Sequence, residues 1–153
     1  MKLEVKLKGI YLKLYFFFKN KLLFKDGYGL SYYLYKNTRA NDTFNLGVRT
    51  DDTTVLYTID KILSSTSLNT GDETHCIDVG AYIGVISLMM SKVLEKNKKK
   101  WKVHTFEPFK ESFLRLQENI NLYPYKSNIL LNDVAVSDVT GSSPLRTYED
   151  SPG

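Results

Sequence analysis

A nine-residue stretch, CIDVGAYIG at Cys76–Gly84, constrains the fold more than any other part of the chain. It predicts a short apolar strand ending on an acid, a tight glycine turn and the start of an apolar helix. A second predicted strand, Lys102–Phe106, is followed directly by another acid, Glu107. Because ligands of open α/β sheets bind beyond the carboxyl ends of the strands, the two acids predict a cofactor site at that edge.

Strands and helices alternate through the second half of the chain. The order is strand, helix, strand, helix and strand, over Thr74–Val79, Ile83–Leu94, Lys102–Phe106, Glu111–Leu122 and Asn128–Asn132. This alternation predicts βαβ crossovers, and therefore an α/β fold with a parallel sheet.

The segment before this alternation carries no strong motif. Seven lysines lie among aromatic and aliphatic residues between Met1 and Lys25, and we interpret this stretch as a basic helix whose aromatic face packs on the domain. Peripheral contact with an anionic membrane surface is the first alternative. Nucleic-acid contact through the basic and aromatic residues is a less favoured second alternative, and no nucleic-acid partner is expected. Asp26-Gly27 and the run Tyr28–Tyr35 predict a turn and a strand. Residues 43–63 predict a short strand and then a helix.

Composition excludes several classes of protein. With 42% hydrophobic and 25% charged residues, the chain is typical of a globular domain. A single cysteine, Cys76, excludes a disulfide framework and favours a reducing, cytoplasmic compartment. His75 and His104 lie within predicted strands. We interpret them as packed or solvent-facing strand residues and not as catalytic residues. No metal-ligand spacing is present, and we name no catalytic residue.

The glycine turn discriminates between cofactors. Gly80 and Gly84 are spaced G-x-x-x-G, and Tyr82 stands where a dinucleotide-binding loop would need its middle glycine. A bulky side chain there disfavours a pyrophosphate but not a smaller amino-acid moiety, so S-adenosylmethionine is favoured over NAD. Asp78 is expected to anchor the loop or to accept a hydrogen bond from a ligand amine. Glu107 is expected to accept the ribose hydroxyls.

Three motifs in order resemble the FkbM-type family of class I S-adenosylmethionine-dependent methyltransferases. They are DVGAYIG at Asp78–Gly84, TFEP at Thr105–Pro108 and NDVAVSD at Asn132–Asp138, with Gly141 following. The resemblance covers residues 73–145 and implies a Rossmann-like, doubly wound, mostly parallel sheet. It divides the chain into an N-terminal segment, residues 1–72, and the N-terminal half of a Rossmann-like domain, residues 73–153.

The resemblance also implies a set of cofactor-binding residues. Glu107 would hold the ribose, and Asp133 with Val134 would lie at the adenine. The turn would line the methionine end of the cofactor, through Asp78, Gly80, Ala81, Tyr82 and Gly84. Family members commonly carry asparagine at the position of Tyr82. The resemblance therefore implies the backbone turn at this position but no polar contact from the side chain.

By this resemblance the chain would be an O-methyltransferase acting on a sugar, a glycan precursor or a small metabolite. Such enzymes have further strands that shape the acceptor pocket. Here the sequence stops after the third strand and a polar tail, Ser142–Gly153, that resembles a following hairpin. We expect either a truncated reading frame, which is favoured, or a partner chain that completes the sheet. An NAD-dependent oxidoreductase and a non-catalytic remnant or membrane-associated module are the alternatives, and the oligomeric state is open.

Overall fold

The structure is a computed structural model, and it describes residues 15–26, 29–36, 57–62, 73–96 and 100–145. Within these ranges the fold is mixed α/β, with a two-stranded antiparallel sheet and a three-stranded parallel sheet. No helix in the described ranges is long and apolar enough to span a membrane. The fold class predicted from the alternation of elements is therefore confirmed as α/β with a parallel sheet.

The antiparallel sheet is a hairpin of β1 (Lys21–Lys25) and β2 (Ser31–Tyr35). At the turn, Asp26 Oδ1 accepts the Leu30 backbone N–H at 2.9 Å. Gly29 lies at φ +80°, a left-handed conformation that favours glycine. The strand predicted over Tyr28–Tyr35 is confirmed for Ser31–Tyr35, whereas residues 27 and 28 of the predicted turn lie outside the described residues.

The prediction of a basic helix through Lys25 was wrong at its end. Residues 15–18 are helical, but Lys21–Lys25 form a strand whose side chains alternate between exposed and half-buried. Leu22 and Phe24 pack against the core from one side of this strand. Pairing with β2 thus makes Lys21–Lys25 a strand and not a helix. The pairing satisfies backbone N–H and C=O groups of this amphipathic segment.

The parallel sheet has the order β3–β4–β5, with one helix in each connection. Its strands are β3 (Thr74–Val79), β4 (Trp101–Phe106) and β5 (Ile129–Asn132). The helices are α1 (Val85–Lys96) and α2 (Lys110–Ile120), and a short 3₁₀ turn, Lys126–Asn128, precedes β5. All five predicted elements are present, with boundaries within two residues of those expected.

One face of the parallel sheet carries the core. Alternate residues of β4, namely Trp101, Val103 and Thr105, are buried on this face. They lie in a cluster that also takes residues from both helices and the hairpin, including Leu30, Leu34, Leu88, Leu94, Leu116 and Ile120. Burying each of these large aliphatic side chains contributes about 1.5–3 kcal/mol. Because the cluster contains residues of the hairpin and of the parallel sheet, this core joins the two sheets.

The opposite face of the parallel sheet is open. The outward side chains of β3 include Ile77 and Val79, which are 62% and 61% exposed. In the described part of the chain, β3 pairs only with β4 and has one free edge. Parallel sheets are normally covered on both faces, so this surface departs from the usual burial of such strands.

Polar contacts attach the hairpin to α2. Tyr35 donates its hydroxyl to Glu118 Oε2 at 2.6 Å, and Lys21 forms an ion pair with the other oxygen of Glu118. These two contacts hold the pKa of the Glu118 carboxyl below its usual value. Both Lys21 and Glu118 are substantially exposed, so the ion pair itself adds little stability.

Some predicted segments lie outside the described residues. They are residues 1–14 of the basic stretch, the strand expected at the start of residues 43–63, and residues 146–153 of the tail. Residues 57–62, within the helix expected there, are helical. The described part of the predicted tail hairpin, residues 142–145, contains no strand.

Candidate functional site

The predicted cofactor residues lie at the carboxyl edge of the parallel sheet. Asp78 is the penultimate residue of β3, Glu107 directly follows β4 and Asp133 directly follows β5. Parallel pairing brings these strand ends to the same edge, with Val79 opposite Phe106 and Phe106 opposite Asn132. The sheet thus brings together on one edge residues that are separated by 55 positions in the sequence.

The glycine turn is fixed to the end of β4 by backbone hydrogen bonds. The N–H groups of Gly80 and Ala81 both donate to the Phe106 carbonyl oxygen, at 2.9 and 3.0 Å. Gly80 and Gly84 lie at φ +79° and +87°, where glycine avoids the strain that a Cβ would bring. Tyr82 also lies at positive φ, +52°, in the left-handed region that is costly for a bulky residue.

Glu107 connects the turn to the start of α2. Its Oε2 accepts the Tyr82 N–H at 2.8 Å, and its Oε1 accepts the Phe109 N–H at 2.9 Å. Its own N–H donates to the Asn132 carbonyl oxygen of β5 at 3.0 Å. The residue is only 7% exposed. Each carboxylate oxygen retains a second lone pair, so the side chain can still accept a ligand hydroxyl while it holds the turn.

Asp78 holds the start of α1. Its Oδ2 accepts the Ser87 hydroxyl at 2.5 Å, and the Ser87 backbone N–H also donates to the carboxylate. Asp78 thereby satisfies a donor in the first turn of the helix, where N–H groups lack intrahelical partners. The expectation that Asp78 anchors the loop region is consistent with this contact.

The two carboxylates form a pair of buried like charges. Burial raises the pKa of Asp78, the two hydrogen bonds from Ser87 partly offset this, and the negative charge of Glu107 raises it further. Among the described residues, no lysine, arginine or histidine forms an ion pair with either group. Hydrogen-bond donors hold both carboxylates, but neither has a cationic partner among the described residues. Since buried charges are normally paired, the site suits a cationic ligand.

The two glycines of the turn have different surroundings. A Cβ on Gly80 would meet nothing within 4 Å, so the space beside it is open to a ligand. A Cβ on Gly84 would lie 2.6 Å from Leu116 Cδ1 on α2. Gly80 therefore leaves room at the sheet edge, whereas Gly84 allows the turn to pack on the neighbouring helix.

The remaining predicted site residues differ in exposure. Ala81 is 6% exposed and belongs to the core cluster, so only its backbone is available at the edge. Asp133 is exposed, and its Oδ2 lies 3.9 Å from Lys110 Nζ. Val134 is 52% exposed. A half-exposed valine beside the strand ends offers an apolar surface at the position expected for an aromatic base.

Sequence reasoning missed the residue that links the turn to the hairpin. Asn119 on α2 is fully buried, and its Nδ2 donates to the Ile83 carbonyl oxygen in the turn at 2.8 Å. Its Oδ1 accepts the Tyr33 N–H of β2 at 2.6 Å. One signal was available, since an asparagine at a core-facing position of an amphipathic helix requires buried partners.

No family model matches the chain, and no curated protein is significantly similar to it. The geometry of the site is therefore the basis for any functional conclusion, beside the resemblance carried by the three motifs.

Proposed function

We propose that the chain binds S-adenosylmethionine at the carboxyl edge of its parallel sheet, as part of a Rossmann-like methyltransferase fold. The observation that carries this proposal is the pair of buried carboxylates, Asp78 and Glu107, without a basic partner among the described residues. S-adenosylmethionine carries a sulfonium and an ammonium group, which suit such a site. NAD carries two negative phosphates and would add to the repulsion.

The open space and the donor set also fit this cofactor. Gly80 leaves room for a ligand against the backbone. Asp78 can accept from an ammonium group, Glu107 can accept from ribose hydroxyls, and Val134 can contact an adenine ring. When bound, S-adenosylmethionine supplies an electrophilic methyl group on a cationic sulfur.

The strand order supports the Rossmann-like part of the proposal. In a doubly wound sheet, each half runs outward from the first strand, and the ligand lies where the two halves diverge. The order β3–β4–β5, with a helix in each connection, is the order of one such half. The glycine turn follows β3, which would be the innermost strand of that half.

The reaction we propose is methylation of a hydroxyl group on a sugar, a glycan precursor or a small metabolite, in line with the resemblance to the FkbM-type family. None of the described residues is assigned to the choice of the acceptor. The chain's own contribution is then the binding and orientation of the cofactor, which is a large part of catalysis for an in-line displacement.

Calorimetric titration and thermal melts with S-adenosylmethionine, S-adenosylhomocysteine and NAD test the binding. A ligand at 100 times its dissociation constant adds about 2.7 kcal/mol, or roughly 5–10 °C in Tm. We expect this shift with the two adenosyl ligands and none with NAD. Asp78→Asn should abolish it, whereas Glu111→Gln, an exposed acid on α2, should leave it unchanged. A cooperative melt that no ligand moves, or that NAD alone moves, would refute the proposal.

Release of S-adenosylhomocysteine in the presence of a panel of sugars and small alcohols tests the transfer. Turnover that requires both the acceptor and Asp78 would support a methyltransferase. Cofactor binding without turnover on any acceptor would instead support a non-catalytic, cofactor-binding module.

A further inference from the structure

The open face of the parallel sheet carries both histidines of the chain. His75 lies on β3 and His104 on β4. Each alternates with core-facing residues, so the two imidazoles project from the face opposite the core. In the register of the sheet His104 is opposite Ile77, and His75 is therefore its diagonal neighbour. This placement is separate from the carboxylate site, because it lies on the open face and not at the strand ends.

The two imidazoles face each other through one nitrogen each. His75 Nδ1 and His104 Nε2 are 2.8 Å apart, with ring centroids at 5.1 Å and ring planes 29° apart. Without a metal, one nitrogen must donate and the other accept. In a complex with metal–nitrogen distances of about 2.0–2.1 Å, two adjacent nitrogen ligands lie roughly 3 Å apart. The separation of the two nitrogens therefore already suits chelation, and both rings must turn so that their lone pairs leave the line between the nitrogens and converge on one ion.

Glu73 supplies the outer contact that metal-binding histidines usually have. Its Oε2 lies 3.3 Å from His75 Nε2, the nitrogen that points away from His104. A carboxylate in this position favours a proton on Nε2 and leaves Nδ1 with a free lone pair. His104 then donates from Nε2 in the metal-free pair. When a metal replaces that hydrogen bond, the proton of neutral His104 moves to its Nδ1 through solvent.

We propose that His75 and His104 chelate a divalent transition-metal ion, with Glu73 orienting His75. Among the described residues, no group of three or more His, Cys, Asp or Glu side chains could hold a metal ion. The site thus has two protein ligands, and water completes the coordination. The side chains of His75 and Glu73 are 48% and 40% exposed, which gives the ion and its water access.

The ligand chemistry predicts the order of metals. Two imidazoles and water suit Cu²⁺, Ni²⁺ and Zn²⁺, and Cu²⁺ should bind tightest by the Irving–Williams order. Mg²⁺ and Ca²⁺ prefer oxygen ligands, so they should not compete. The bound ion would link β3 to β4 on the open face.

The chain suits a direct test because it contains two histidines and one cysteine. The full chain, purified without a polyhistidine tag and in a Cys76→Ser background, is titrated with Cu²⁺ and followed by calorimetry and electron paramagnetic resonance. We expect one equivalent of Cu²⁺ with a signal from two imidazole nitrogens, and a rise in Tm. Zn²⁺ should displace it only in large excess.

Variants identify the ligands. His75→Gln and His104→Gln should each weaken binding at least tenfold and remove the two-nitrogen signal. Glu73→Gln should keep both nitrogens and weaken binding about tenfold. Lys102→Ala changes the same open face beside His75 and should leave binding unchanged. Far-ultraviolet circular dichroism checks that each variant is folded. Cu²⁺ binding that is retained in either histidine variant, or a spectrum without two nitrogens in the parent chain, would overturn the proposal.

Discussion

The carboxylate of Glu107 accepts the backbone N–H of Tyr82, at 2.8 Å, and so fixes the glycine turn to the end of the neighbouring strand. The residue that the motif TFEP predicts as a ligand contact therefore also has a structural role. Its second oxygen accepts the Phe109 N–H, and the start of α2 depends on the same side chain. Substitution of Glu107 should consequently affect folding as well as binding.

We expect Glu107→Ala to lower the free energy of unfolding by about 2–4 kcal/mol, because two backbone donors lose a charged acceptor. Chemical denaturation of the ligand-free chain measures this loss. Glu107→Gln retains one acceptor oxygen and should lose less stability, but it should still bind S-adenosylhomocysteine more weakly. A Glu107→Ala variant that is as stable as the parent would show that the two hydrogen bonds contribute nothing measurable.

The glycines of the chain provide a matched series. Gly29 and Gly80 lie at φ +80° and +79°, and a Cβ on either meets nothing within 4 Å. Alanine at each position should cost about 1 kcal/mol from backbone strain alone. Gly80→Ala should in addition lose binding of S-adenosylhomocysteine, since its methyl group enters the proposed ligand space, whereas Gly29→Ala should bind normally.

Gly84→Ala completes that series. Gly84 lies at φ +87°, and a Cβ there would lie 2.6 Å from Leu116 Cδ1. The cost of backbone strain and the cost of overpacking therefore add together. We expect a loss of stability larger than that of Gly80→Ala, by at least about 1 kcal/mol. Denaturation curves of the three variants give the order directly. Equal losses at positions 80 and 84 would contradict the difference in packing.

The order of apolar, polar and glycine residues predicted those parts of the fold that depend on residues close together in the sequence. The strand, turn and helix around Asp78–Gly84 were expected, because apolar runs and glycines determine that geometry over a few residues. The strand Lys21–Lys25 was missed, because it forms through pairing with β2. The contacts of Asn119 were missed for the same reason, since its partner Tyr33 is 86 residues away. Non-local partners, which no single-sequence pattern encodes, account for these differences.

Asn119 should be among the most sensitive positions in the chain. Asn119→Ala leaves the Tyr33 N–H and the Ile83 carbonyl oxygen without their partner inside the core. We expect a loss of about 2–4 kcal/mol in the free energy of unfolding. Gln117→Ala, at an exposed position of the same helix, is the control and should change stability by less than about 0.5 kcal/mol. Similar effects from both variants would show that the buried hydrogen bonds are not needed.

The raised pKa of Asp78 should make the free energy of unfolding and the affinity for a cationic ligand change with pH in opposite directions. Burial raises its folded-state pKa above the ordinary value of 3.8. Its contribution to stability is therefore present below that ordinary value and is lost as pH rises through the folded pKa. A cationic ligand favours the ionised form, so affinity should rise with pH over the same interval.

Calorimetry in two buffers of different ionisation enthalpy tests this linkage. Within that pH interval, binding of S-adenosylmethionine should release a proton from Asp78, and the release should fade at higher pH, where the carboxyl is already ionised. In the ligand-free chain, Asp78→Asn should remove the part of the pH dependence of stability that comes from Asp78. Proton uptake on binding, or a pH profile of stability that Asp78→Asn leaves unchanged, would contradict the assignment.

The open sheet face should make the chain self-associate. Ile77 and Val79 are more than half exposed beside the edge of β3 that has no partner strand among the described residues, and such surfaces promote edge-to-edge contact. We expect Ile77→Thr with Val79→Thr to reduce concentration-dependent association in sedimentation velocity, with little change in stability because threonine retains the strand preference. The control combines Leu23→Thr with Leu114→Gln, which removes two leucines that are 55% and 52% exposed on other elements. If only the β3 variant reduces association, the open face is the surface through which copies of the chain associate. If the control reduces association as much as the β3 variant does, general surface hydrophobicity is responsible.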